Sequence, residues 1–260
     1  MIRGLYTAVS GLITQEAKQD VITNNMANAN TVGYKADNLV VKSFNEVLIQ
    51  NRDKVAGGKN VNNIIGSLSN GSQIDETVTD FTQGLLQSSD SDTDFGLDGR
   101  GFFTVQRTAQ DGSTQTYYTR DGNFHVNNQG YLVNGSGDNV LARNLQTGAM
   151  EPVFVGNGKI ISNGDNDISI NGKPSYNFNI VDFNDYKTLQ KVGDNLYTGT
   201  NPVASNAVVK QNATEKSNVN VINEMINMMS VMRTFESSQK VLQSMDETLG
   251  KTVNEVGTVR

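Results

Sequence analysis

Apolar residues recur with a helical period at both ends of the chain and with an alternating period in its middle. From Val221 onward, steps of four and three pick out Val221, Met225, Met228, Met232, Phe235, Gln239, Leu242, Asp246, Leu249, Val253 and Val256, and only Gln239 and Asp246 are polar. This heptad seam predicts one long helix, roughly 50 Å at about 1.5 Å per residue, whose apolar stripe needs a partner. A weaker seam at Leu5, Ala8, Leu12, Gln15, Gln19, Ile22 and Met26 predicts a second helix from residue 2 to about residue 30. Thr31, Val32 and Gly33 close it, with Gly33 free to take a left-handed conformation. Two incomplete seams at opposite ends invite pairing, and the entropic cost of the loop between them grows only logarithmically with its length.

Between the ends, residues 35–80 are rich in Asn, Gly and Ser, with GGKNVNN and SLSNGS as punctuation. They read as an extended connector with a short helix near Phe44 followed by loose strand. From Phe81 the period becomes two: Phe103 with Val105, Phe124 with Val126, Tyr131 with Val133, Ile168 with Ile170, and Phe178 with Ile180. Turn residues separate the runs at Asp111-Gly112, Asp121-Gly122, Asn127 to Gly130 and Asn171-Gly172. The strands end near Leu196 and Tyr197, and the polar stretch Thr198 to Lys216 returns the chain to the last helix. The expected fold is α+β: discontinuous terminal helices (1–34 and 217–260) pairing as a coiled coil, the connector 35–80, and a central antiparallel β domain over 81–216.

Composition narrows the function classes. With 25 Gly, 3 Pro, no Trp and 36% hydrophobic residues, the body is turn-rich and its core modest for 260 residues. The net charge of -6 and the scattered basic residues argue against nucleic acid or an anionic membrane as partner. No cysteine is present, which excludes disulfide frameworks, thiolate metal sites and thiol catalysis. The N-terminus lacks the pattern of a secretory leader, because Thr7, Ser10 and Thr14 interrupt its apolar run, and no stretch reaches the length of a membrane span. Composition by itself describes a cytosolic protein.

Candidate chemistry is sparse. Asp90, Asp92 and Asp94 begin like a calcium loop, yet Phe95 and Gly101 stand where that loop needs glycine and a closing glutamate. Gly99 and Gly101 resemble half of a nucleotide fingerprint but precede a strand, so they read as a turn. His125 reads as a strand-surface imidazole, and Asp182 with Asp185 as acidic turn residues. The sequence therefore implies no catalytic group, no metal site and no cofactor. Met225, Met228, Met229 and Met232 suit a helix that meets several non-identical neighbours, because Met repacks readily. Asn24, Asn25, Asn28 and Asn30 supply amides that can pair across a helix interface without burying charge.

LYTAVSGL followed by NNMANANTVGYK, together with SNVNVINEMINMMSVMRTFESSQKVLQSMDETLGK, resembles the signature ends of the flagellar rod and hook protein family. Asn25, Asn28, Thr31, Gly33, Tyr34 and Lys35 carry the first motif, and Ser217, Asn218 and Val219 the second. DFGLDGRGFF, YTRDGNFHVNNQGYLV and VGDNLYTGT resemble that family's β domain, so the likeness spans nearly the whole chain. A single β domain resembles the rod proteins more than the larger hook protein, with features of both the proximal and the distal type.

The resemblance implies a structural axial subunit of the bacterial flagellar basal body, with the terminal helices lining an inner tube and the β domain outside. It implies as partners copies of the same chain, other rod or hook proteins and the flagellar type III export apparatus, with export that needs no cleaved signal. It makes Leu5, Leu12, Ile22, Met26, Val221, Met225, Met228, Met232, Phe235, Leu242 and Leu249 an assembly seam. Phe44 and Leu48 are similar to the short element by which early subunits engage the export gate. Two other readings stay open at this level: a secreted oligomeric adhesin or binding module with a helical stalk, which needs an exposed cleft around residues such as Tyr117, Tyr118 and Tyr131, and an envelope hydrolase, for which convergent catalytic groups are missing.

Overall fold

Two stretches of helical period frame the chain, and a computed structural model forms a helix from each. The structure describes residues 2–56, 59–108, 112–162, 166–193 and 195–256. Helix α1 spans Ile2–Ala27, and helix α2 spans Val221–Lys251 and runs on into a wider π-helical turn at Thr252–Val256. Asn220 caps α2, its side chain accepting from the backbone N–H of Ile222 at 3.1 Å and of Asn223 at 3.2 Å. The chain divides into two compact units, the first made of Met1–Met26, Asp37–Thr79 and Asn220–Arg260, the second of Ala27–Ala36 and Asp80–Val219.

In the first unit, the stretch expected as a loose connector is paired strand. β1 (Asp37–Ser43) would otherwise expose its backbone; it is matched antiparallel by β4 (Ser72–Thr79), while β2 (Val47–Ala56) pairs with β3 (Lys59–Leu68). Phe44 lies between β1 and β2 and carries no helix. Gly57 and Gly58 of GGKNVNN lie outside the described residues, as does Asp111 of the Asp111-Gly112 turn. α1 is tied to the ribbon by Asn25, which donates to Asp37 O at 2.9 Å and accepts from Asp37 N at 3.0 Å, and by the Thr14 and Ser72 hydroxyls at 3.2 Å. Asn25 thus grips strand backbone, while Asn28 accepts from the Thr31 hydroxyl beside it.

The covered stripe of α2 differs from the expected seam. From Val221 to Gly250, Val221, Glu224, Met228, Val231, Phe235, Ser238, Leu242, Met245 and Leu249 are buried or half-buried, and every other residue is exposed. Both stripes share each seventh position from Val221. They part at the intermediate ones, where steps of three and then four replace steps of four and then three. Met225 and Met232 are therefore exposed at 48% and 44%, as are Gln239 and Asp246. Two interruptions sit on either candidate stripe, Gln239 and Asp246 on one, Glu224 and Ser238 on the other, so apolar periodicity alone does not choose between them. On α1, Leu5, Leu12 and Met26 are half-buried and Ile22 is buried.

The second unit is an antiparallel β body, and with the terminal helices it makes the chain α+β. After β5 (Leu86–Ser88) and β6 (Phe95–Asp98), the long hairpin of β7 (Phe102–Thr108) and β8 (Thr114–Thr119) forms the middle of its main sheet. Asn171 and Gly172, both at positive φ, make the two-residue turn joining strands Asp167–Ile170 and Lys173–Phe178. Both faces of β7 are covered. Phe103 and Val105 enter a core with Phe95, Phe124 and Phe178, while Phe102 enters a second cluster with Tyr118, Phe183 and Tyr197, against which Phe81 packs. The alternating pattern marked only the first. The returning stretch is also part of the body: Val208–Gln211 pairs with β6 and Ala213–Glu215 with β5.

Candidate functional site

Apart from Asn25, which lies in the first unit, the motif residues of the two termini converge inside the second unit. Chain segments 33–36, 80–85 and 215–218 run side by side there, and their backbone groups pair directly: Gly33 N donates to Glu215 O at 2.8 Å, Asp80 N to Ala36 O at 2.8 Å and Lys216 N to Leu85 O at 2.9 Å. Asn218 joins all three segments of strand-poor chain. Its Oδ1 accepts from Ala36 N at 2.8 Å and its Nδ2 donates to Asp80 O at 2.8 Å.

At the centre lies a buried ionic clasp. Lys35 Nζ is 2.6 Å from Glu215 Oε1 and donates to Thr82 O at 2.7 Å; Gly84 N donates to the same carboxylate at 2.8 Å, and Arg120 reaches Oε2 at 3.3 Å. The Lys35 and Glu215 side chains are fully buried, and the Arg120 guanidinium lies 5.4 Å from the Phe102 ring centroid. Burial lowers the Lys35 pKa, while Glu215 pulls the other way. One carboxylate thus faces two cations in a dry interior, where losing it would strand both.

Two glycines allow the segments to approach. A Cβ on Gly33, which sits at φ +67, would lie 2.5 Å from Asp121 N and 2.6 Å from Arg120 C; one on Gly84 would lie 2.0 Å from Lys216 O. Tyr34 is buried, and Lys191 Nζ lies 4.2 Å from its ring centroid. Thr31 donates to Asn28 Oδ1 at 3.2 Å, and Val219 N donates to the Ser217 hydroxyl at 3.2 Å. Every motif position is thus occupied in closing a helix or joining chain segments. Sequence reasoning missed Glu215, Arg120, Thr82 and Gly84, because nothing in their local patterns marks a partner so distant in the chain.

The other candidates have structural occupations. Asp94 is buried and hydrogen-bonds Ser89 at 2.5 Å, Asp92 lies 3.7 Å from Lys159, and among the described residues no group of three or more His, Cys, Asp or Glu could hold a metal. His125 is an exposed strand residue. Asp182 accepts from the Tyr186 hydroxyl at 2.7 Å, and Asp185 caps a short 3-10 helix through Lys187 N at 2.9 Å. Tyr117 and Tyr118 are buried and Tyr131 packs against Phe154, so these three tyrosines do not form the exposed cleft a binding module needs.

Family comparisons fall on the same segments. The model described as "Flagella basal body rod protein" matches residues 5–35, "Flagellar basal body rod FlgEFG protein C-terminal" matches 210–255, and "Flagellar hook protein FlgE/F/G D1 domain" matches 96–181. The chain is 32% identical to the flagellar basal-body rod protein FlgG of Bacillus subtilis (strain 168), over 98% of this chain and 99% of that one. The chain belongs to the flagellar basal-body rod protein family. This rod-family chain is also 31% identical to FlgF of Caulobacter vibrioides over 100% of both, and 30% identical to the flagellar hook-basal body complex protein FlhO of Bacillus subtilis (strain 168) over 100% of both. Its role is that of a structural rod subunit. Lys35, Arg120 and Glu215 each fall within one of the three matched regions. None of the described helices is long and apolar enough to cross a membrane.

Proposed function

We propose that this rod subunit polymerises through its terminal helices into a hollow helical shaft that transmits torque and passes exported subunits, with the β body in an outer layer. α1 and α2 pack in it as a coiled coil whose seam is completed by neighbours. Its partners are copies of itself, other rod or hook proteins and the flagellar type III export apparatus. Nucleic acid, a cofactor and membrane insertion have no part in this reading. The observation that supports it is the apolar ridge left on α2, where Ile222, Met225, Ile226, Met229 and Met232 are all at least 44% exposed. A contiguous apolar face of this kind marks an interaction surface, and head-to-tail contacts that do not close a ring build a helical assembly.

Phe44 and Leu48, exposed at 38% and 59%, are accessible as the export-gate element. Electron microscopy of basal bodies from a deletion strain is the test: a rod truncated or missing, restored by the gene in trans, is expected. Complete rods and normal swimming without the chain would end the proposal.

A further inference from the structure

Thioether sulfur is unevenly placed along this chain. Of its eight methionines, Met225, Met229 and Met232 stand four and then three residues apart on the ridge of α2, which puts them on one helix face, and they are 44–52% exposed. Met228, next to Met229 in sequence, lies on the covered stripe and is half-buried, as are Met26 and Met245. Met245 packs so closely against α1 that a Cβ on Gly4 would lie 2.8 Å from its Cε. Met150, on the strand Met150–Pro152 of the β body, is the remaining exposed methionine among the described residues. With no cysteine and no tryptophan in the chain to react first, these sulfurs are its most readily oxidised atoms, and exposure selects among them.

We infer that Met225, Met229 and Met232 are a site of reversible oxidation by peroxide that controls entry of the subunit into the rod. The control of entry rests on the reading that the α2 ridge is covered in the assembled rod. Each thioether sulfur attacks one oxygen of hydrogen peroxide: an S–O bond forms, the O–O bond breaks, and the leaving hydroxide ends as water once the protons are shared out. Sulfur is oxidised by two electrons and the peroxide reduced by two, so one sulfoxide and one water result. The product is a polar acceptor standing beside Ile222 and Ile226, where an apolar contact offers it no donor. On the free subunit the same oxygen meets water, so the helix keeps its fold and only the contact is lost. A thiol-dependent sulfoxide reductase restores the thioether while the subunit is still free. Assembly then protects what it needs, since a sulfur covered by a neighbour is out of the oxidant's reach.

Peptide mass mapping after a hydrogen peroxide pulse on the free, full-length chain tests the site. Met225, Met229 and Met232 are expected to be oxidised at least about threefold faster than Met228, Met26 and Met245, with Met150 reacting as fast as the ridge. Equal rates at ridge and covered positions overturn the site. Glutamine matches a sulfoxide in length and polarity, and leucine matches the thioether in bulk without the polarity. The chain carrying Met225→Gln, Met229→Gln and Met232→Gln is expected to enter rods at least roughly tenfold less than the unsubstituted chain, while the chain with Leu at the same three positions enters normally. Hydrogen exchange along α2 in the monomer is expected to be the same in all three. Normal entry of the Gln chain overturns the control of assembly and leaves the rod reading intact. Exclusion of the Leu chain as well, or faster exchange in the Gln chain, traces the loss to shape or folding instead of polarity and overturns that control too. Absence of the unsubstituted chain from rods removes the rod reading and the control of assembly together, and the oxidation rates in the monomer still decide the site.

Discussion

Lys35 and Glu215 meet at 2.6 Å across 180 residues of sequence, both side chains out of contact with water. Removing one member of such a pair leaves uncompensated charge in the interior, a loss of about 3–5 kcal/mol. Glu215→Ala is expected to lose that much in urea unfolding of the full chain. Glu215→Gln, which keeps an acceptor for Gly84 N, is expected to lose less. A Glu215→Ala protein as stable as the parent would mean that the clasp contributes nothing.

Asp121 supplies a pH dependence. Burial, with Asp94 adding to it, raises its carboxyl from 3.8 to about 6. The folded state therefore binds this proton more tightly than the unfolded state. Its contribution improves as pH falls from about 6 towards 3.8 and is lost as pH rises through that window. Asp121→Asn keeps an acceptor for Asn123 N and is expected to flatten this slope and stabilise the protein at neutral pH by about 1–2 kcal/mol, allowing for its partial exposure. Thermal unfolding of both proteins between pH 4 and pH 8 checks it.

Gly33→Ala is expected to cost more than an ordinary helix-end substitution. The new methyl meets backbone atoms of Arg120 and Asp121, which cannot swing aside, and the positive φ adds strain. A loss of about 2–4 kcal/mol in the same urea assay is the expected outcome.

Neighbouring positions on α2 separate folding from assembly. Val231 is 9% exposed and Met232 44%. Val231→Asp is expected to destabilise the first unit, seen as faster hydrogen exchange along α2 in the monomer. Met232→Asp is expected to leave monomer exchange unchanged and to abolish incorporation into rods. Equal behaviour of the two would show that the covered stripe was misplaced.

The helices were legible because the apolar period is local, and Gly33 after the amide run marks where the first one closes. Alternation exposed the strands around Phe103 and Val105 for the same reason. What stayed hidden depends on distant partners. Phe102 gave no sign of a second core, since a strand covered on both faces loses its alternation. In residues 37–79 many of the large apolar side chains, among them Val47, Leu48, Ile64, Ile65 and Ile74, are exposed, so no buried face imposes an alternation that would announce the ladders. Glu215 sat in a polar stretch that read as a return path, and a lone carboxylate says nothing of which cation will find it. On α2, the choice between Val231 and Met232 belonged to the surface that meets the helix, and the helix sequence leaves it undecided.

Glu215 also fixes an order of events. A polypeptide emerging amino end first presents Lys35 and Arg120 long before their counter-charge exists, so the clasp closes only after residue 215 has appeared.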